Sequence, residues 1–356
     1  MKKLTLNLIL VLMAGLLFSS CKKENGTTTN AKKRYILSNE YNSVTNAAFA
    51  KYFVNDVATT LGDPNTHKIY GEDLEVSGTD VYVLALRQPS SGGAYSVVIY
   101  KNGTEFQSFS VAGNIYYNCL AVSGTDIYLA GVDFPSSGVP KIILWKNGTV
   151  TELTSNTGAN ATEARVYDMV VSGSDVYLAG YETMSTSPFN RLPKYWKNGQ
   201  AVTLSATAGV NSAVHRIVVA GSDVHCSGES EGKPTYWKNG SSTNLSTANG
   251  WSYGLAVNGT DVFTAGSVST GANVYNASIW KNGSQTVLSN RTTQGTVSVF
   301  GVGVDVDVDG NDVYVIGSMP DATQNSAKSV YWKNGTLVEL PMTSGYSGYA
   351  YRLVIK

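Results

Sequence analysis

The stretches VYDMVVSGSDVYLAG (residues 166–180) and LPKYWKNGQAVTLS (residues 192–205) decide the fold, because each is half of a unit that the chain repeats. The first half generalises to V-x-G-[ST]-D-V-Y-x-A-G, with its Asp at Asp80, Asp126, Asp175, Asp223, Asp261 and Asp312. The second half reads Y-W-K-N-G, with its Asn at Asn102, Asn147, Asn198, Asn239, Asn282 and Asn334. The halves alternate strictly, and successive Asp residues lie 46, 49, 48, 38 and 51 positions apart. That period is the length of a four-stranded propeller blade. Within a unit, VYDMVV reads as strand A, DVYLAG as strand B, LPKYWK as strand C and AVTLS as strand D. Asn-Gly between C and D fits a type I′ hairpin, since both residues tolerate positive φ.

Six units are complete, and the chain ends supply a seventh. Residues 50–61, AKYFVNDVATTL, align without gaps on residues 142–153, IILWKNGTVTEL. YAYRLVIK, residues 349–356, matches the strand A string AVHRIVVAG. The expected fold is an all-β, single seven-bladed propeller over residues 33–356, with the C-terminal strand A joining N-terminal strands B, C and D. Its blades span approximately 69–112, 115–158, 165–210, 213–249, 251–291, 298–344, and 349–356 with 33–62. Closing the ring removes the open sheet edge that invites aggregation. The strand C aromatics Trp145, Trp196, Trp237, Trp280, Trp332, Tyr100 and Phe53 occupy one equivalent place and are read as packing between blades.

The first residues are an address. Lys2 and Lys3 precede an apolar run from Leu4 to Phe18, then Ser19, Ser20 and Cys21. The run is too short for a membrane span and reads as a signal peptide over residues 1–20. LFSSC resembles the lipobox of bacterial lipoproteins, which implies acylation of Cys21, palmitate included, and a membrane partner through the lipid. Residues 21–32 carry the lipidated cysteine and a flexible polar tether. Together with the repeated YWKNG and SGxDVYVAG strings, the chain resembles Bacteroidetes surface lipoproteins. The resemblance implies an outer-membrane location, with exposure at the cell surface. Cys119 and Cys226 fall in non-adjacent units and are expected as buried thiols rather than a disulfide.

Chemistry is sparse. The formal net charge is zero, from 26 basic and 26 acidic residues, so no basic stripe points to nucleic acid. There is no Ser-His-Asp spacing, HExxH, CxxC pair or phosphate-binding glycine loop. No cofactor and no metal site is expected: DVDVDGND, residues 305–312, lacks the closing Glu of a calcium loop, where Ile316 stands, and reads as strand A entering a hairpin. Of the three histidines, His67 is assigned to a D–A loop and His225 replaces the Tyr of strand B.

The functional expectation rests on position. D–A and B–C loops share one propeller face around the central channel. Strand A enters from that face, placing Tyr70, Tyr116, Tyr167, His215, Trp251, Tyr253 and Tyr351 at a rim beside the charged residues Asp73, Asp168, Arg216, Asp305 and Arg352. The B–C loops are expected to add Glu40, Arg87, Asp133, Glu182, Glu229 and Glu231. Aromatic rings beside carboxylates suit a glycan or an extended peptide, so the leading expectation is a binding module on a monomeric ring. The rival reading of the same residues is packing: tyrosines fill the funnel and Asp–Arg pairs satisfy one another. Two other functions compete. One is a polysaccharide lyase or hydrolase using Asp73, Asp168 and Asp305; the other is a docking platform in an envelope complex.

Overall fold

A computed structural model describes residues 32–110, 114–136, 139–153, 161–184, 191–207, 209–271, 274–288, 301–321 and 326–356. The signal peptide, Cys21 and all of the tether before Lys32 lie outside the described residues. The described residues form seven four-stranded antiparallel sheets and no helix. Blade 1 is β4 (His67–Ser77), β5 (Asp80–Pro89), β6 (Ser96–Lys101) and β7 (Thr104–Ser110). Blade 2 is β8 (Ile115–Ser123), β9 (Asp126–Asp133), β10 (Lys141–Lys146) and β11 (Thr149–Leu153). Blade 3 is β12 (Ala161–Ser172), β13 (Asp175–Met184), β14 (Arg191–Lys197) and β15 (Gln200–Thr203). Blade 4 is β16 (Ser212–Ala220), β17 (Asp223–Ser230), β18 (Lys233–Lys238) and β19 (Ser241–Asn244). Blade 5 is β20 (Gly250–Asn258), β21 (Asp261–Gly271), β22 (Val274–Lys281) and β23 (Ser284–Val287). Blade 6 is β24 (Val302–Asp309), β25 (Asp312–Pro320), β26 (Ala327–Lys333) and β27 (Thr336–Glu339).

Blade 7 draws on both ends of the chain. β28 (Ser347–Ile355) pairs antiparallel with β1 (Arg34–Asn42), with Tyr35 opposite Val354, and β2 (Ala47–Val54) and β3 (Val57–Thr60) complete the sheet. The inner strands touch in sequence, β4 to β8, β12, β16, β20, β24, β28 and back to β4.

The repeat motif has a single physical cause at the turn face. Each C–D turn Asn sits at φ of 47–51°, and the Asn-Gly pair forms the tight hairpin. Asn198 Oδ1 accepts the Val176 N–H at 2.9 Å while its Nδ2 donates to Asp175 at 2.8 Å. Lys197 reaches the same carboxylate at 2.8 Å and lies 5.3 Å from the centre of the Tyr177 ring. The same Asn and Lys contacts to the turn Asp recur at Asp80, Asp126, Asp223, Asp261 and Asp312. The repeated Asp is therefore more than a hairpin former: it ties the A–B turn to the C–D turn of its own blade. That is why D-V-Y and K-N-G repeat as a pair.

The core lies between blades. Trp196, Trp237, Trp280 and Trp332 are fully buried, as is Phe53 at the same place in blade 7. Trp196 packs in one cluster with Cys119, Ala130 and Ile142 of the preceding blade, and Trp237 in another with Cys226 and Ala179. Both cysteines are free and buried. Each large aliphatic side chain removed from water in this way contributes about 1.5–3 kcal/mol. DVDVDGND is the end of β24, its Asp309 paired with Asp312 across Gly310.

Candidate functional site at the channel mouth

Every inner strand carries a one-residue bulge, and all seven fall at the same place. The pairing register of strand A skips at Glu72, Asn118, Tyr167, His215, Tyr253 and Val304, and at Tyr351 in blade 7. A bulge adds a residue to one strand and re-aims its side chain. Here it breaks the alternation that would send neighbouring residues to opposite faces, so two consecutive residues serve the channel. The bulge residues form the mouth, and the next residues, Asp73, Cys119, Asp168, Arg216, Gly254, Asp305 and Arg352, form a layer below it.

The bulge also explains the glycine of the DVYxAG string. A Cβ on Gly131, Gly180, Gly228, Gly266 or Gly317 would collide with the carbonyl oxygen of Tyr116, Arg165, Ala213, Trp251 or Val302 on the bulged strand. Blade 1 has Ala85 there, facing Gly71.

The lower layer is a closed ion network. Asp168 Oδ1 takes Arg216 Nη1 and Arg352 Nη1, both at 3.2 Å. Arg216 also pairs with Asp305, and Arg352 Nε lies 3.2 Å from Asp73. Each carboxylate in addition accepts a backbone N–H from the next blade: Leu120 to Asp73 at 2.8 Å, Ile217 to Asp168 at 2.9 Å and Leu353 to Asp305 at 2.9 Å. Asp307 does the same for Ile355 at 2.7 Å. Burial pushes the Asp305 carboxyl up to about 6. Burial and the charge of Asp168 push Asp73 up as well. Three carboxylates facing two guanidiniums favour one retained proton. The three aspartates, no more than 3% exposed, are clasps between blades. Asp73, Asp168, Arg216, Asp305 and Arg352, expected at the rim, thus lie beneath it and occupy one another. The carboxylates proposed as acid and base are brought together, but every one is held by an arginine and a neighbouring blade.

Below this layer a cavity of about 540 Å³ is lined by Val122, Val171, Val219, Val257 and Val308 and opens at Lys32 and Lys356, on the face of the A–B turns. Above it, the mouth is aromatic. Tyr116, Tyr167, Tyr349 and Tyr351 are exposed. On one side, His215 stands between Tyr167 and Tyr253, with ring centres 5.0 and 4.8 Å away, and Tyr181 lies 5.9 Å beyond Tyr167. His215 Nε2 is buried without a hydrogen-bond partner among the described residues, and burial lowers the imidazole to about 4. Trp251 packs 5.1 Å from Tyr275, and its indole N–H donates to Glu229, whose carboxyl burial raises.

On the other side, two clefts meet at Tyr351. One, of about 560 Å³, is mainly apolar, with Val302, Val304, Met319 and Pro320 among its walls. The second, of about 690 Å³, is walled by Tyr70, Tyr95, Tyr116 and Tyr351 around Glu72. Tyr116 Oη donates to Glu72 at 2.7 Å.

Several expected positions differ. Glu40 and Glu182 lie within β1 and β13, buried and paired with Lys51 at 2.6 Å and Lys194 at 2.5 Å, rather than in loops at the mouth. Arg87 pairs with Glu105 on its own blade. His67 is the first residue of β4, not a loop residue. Glu72 is the mouth acid that was not singled out from the sequence. The signal was its register, eight residues before Asp80, where bulge residues fall in every blade.

No family model and no curated protein matches the chain. Solved structures do. A Mycobacterium tuberculosis puromycin-hydrolyzing peptidase superposes with a TM-score of 0.52 at 11% identity, covering 87% of this chain and 53% of its own. TolB from Acinetobacter baumannii gives 0.39 at 14% identity, covering 82% of both chains. The chain thus spans about half the length of the first of these. At such identities the likeness concerns the propeller fold.

Proposed function

We propose that this propeller is an envelope-anchored binding module that captures a glycan at its channel mouth, a protein partner being the second candidate. The observation that carries the reading is the ring of seven bulges. It spends backbone regularity in every blade to turn side chains toward one opening, and bulges cluster where side chains are re-aimed for function. The ion network floors that opening, making it a bowl rather than a tunnel. Aromatic faces bordered by a few polar groups suit sugar rings.

The place where the described chain begins fits the same reading. Lys32 lies beside Asp309 of an A–B turn, and Lys33 bonds to Lys356. The first described residues therefore lie on the face of the A–B turns, opposite the mouth, and leave the mouth open to a ligand. Catalysis by Asp73, Asp168 and Asp305 finds less support, since those carboxylates already hold the blades together.

A glycan array with the propeller, followed by Trp251→Ala with Tyr253→Ala, tests the proposal. The expected result is a glycan signal that the double variant weakens by about tenfold or more, the scale of lost aromatic contacts. Absence of any glycan signal, with a partner captured stoichiometrically instead, would replace the glycan by a protein.

A further inference from the structure

The side of the mouth above blades 7, 1 and 2 carries an acid, Glu72, whose cleft holds no basic side chain among the described residues. We propose that this cleft is an aromatic cage for an organic ammonium group, with Glu72 as the counter-ion. The proposal rests on the mouth being the binding face and names the chemistry of one ligand group there.

Glu72 reaches the mouth because it is the bulge residue of β4. Four tyrosines from separate places in the fold meet around it: Tyr70 on the same strand, Tyr95 from the β5–β6 connection, Tyr116 from β8 and Tyr351 from β28. Tyr351 is 44% exposed and Tyr95 45%, so the rings are open to a ligand. Aromatic faces attract cations through the ring quadrupole, and a desolvated site strengthens the attraction.

The contrast with the other acids is the second observation. Glu40 and Glu182 face Lys51 and Lys194, and the channel aspartates face Arg216 and Arg352. No Lys, Arg or His lines the Glu72 cleft among the described residues. The neutral hydroxyl of Tyr116 is the hydrogen-bond donor to its carboxylate. A carboxylate taken partly out of water without an opposite charge is costly. Burial and the adjacent Asp73 accordingly raise Glu72 to about 7. The ionisable groups facing it are Asp73 on its own strand, Tyr116 and Cys119 from β8 and Tyr351 from β28, none of them basic. An inserted ammonium supplies the missing charge; an uncharged sugar does not, and an anion would be repelled. The cavity of about 690 Å³ accepts a choline-sized group or a lysine side chain.

The test uses the full chain in non-ionic detergent, with calorimetry of choline against its uncharged isostere, in which a tert-butyl group replaces the trimethylammonium. Choline is expected to bind about tenfold or more tightly than the isostere. Glu72→Gln should weaken choline by a similar factor, with an unchanged melting temperature as the folding control. Tyr351→Ala, at an exposed ring, should weaken it too. The sign of the pH effect follows from Glu72: binding uses the ionised carboxylate, so affinity falls by about tenfold from roughly pH 8 to pH 6 as the free group takes up its proton. An Nα-acetyl-lysine amide arm separates the sources, tighter binding than choline indicating a peptide lysine and weaker binding a small quaternary amine. Equal binding of choline and isostere, no binding of either cation, or unchanged affinity in Glu72→Gln or Tyr351→Ala would overturn the cage. A failed glycan array with choline bound removes the glycan alone; the reverse pattern removes the cage alone.

Discussion

At the residue scale, Asp168 is the hinge of the channel chemistry, since both guanidiniums share it. Removing one partner from a buried ion network leaves uncompensated charge, and Asp168→Ala should therefore cost about 3–5 kcal/mol. Asp73, pushed up by burial and by Asp168, is the carboxylate most ready to stay neutral. Asp73→Asn then keeps the protonation pattern and should cost only about 1–2 kcal/mol, the scale of one altered hydrogen bond. Urea unfolding of the two variants checks the order. Equal losses would mean that Asp73 is ionised in the folded protein. Gly254 shows a different constraint in the same layer: a Cβ there would lie 2.7 Å from the Asp305 Cα, so the blade 5–6 contact requires its absence.

At the element scale, each of blades 1 to 6 is two hairpins tied together by the Asp, Lys and Asn of their turns. The ion-pair part is exposed to solvent, where such pairs contribute little. The Asn part is different, because it combines a left-handed backbone with two directed hydrogen bonds. Asn198→Ala should cost about 1–2 kcal/mol from the lost bonds and the αL penalty. Lys197→Ala should leave the melting temperature nearly unchanged. Differential scanning calorimetry of the two variants tests this, and a larger loss for Lys197→Ala would move the stabilisation to the charges. The pairing of D-V-Y with K-N-G was legible as a spacing. The contact between them was not, because the two turns are separated by some twenty residues and meet only when strands B and C pair to their full length.

At the scale of the whole molecule, β28 is the closing element. It supplies the inner strand of blade 7 beside β1, and it contacts β24 on one side and β4 on the other. It also receives the Asp305 and Asp307 clasps at Leu353 and Ile355. A chain truncated after Tyr346 would leave β1 with an open edge. The expected outcome is loss of the monodisperse, cooperatively unfolding species, seen by size-exclusion chromatography and calorimetry. An intact melting transition in the truncated chain would show that the ring does not depend on this strand.

The repeat by itself determined the seven four-stranded blades and the strand C aromatics in the core. These follow from local rules: strand periodicity, Asn-Gly turn chemistry and the cost of an open edge. Only the tertiary structure decided which side chains face one another across the axis. Alternation predicts that Glu72 and Asp73 diverge, and the bulge turns both toward the channel. The ion network likewise joins Asp73, Asp168, Arg216, Asp305 and Arg352 from blades far apart in sequence. Their mutual neutralisation is a property of the closed ring, where distance in space and distance along the chain part company.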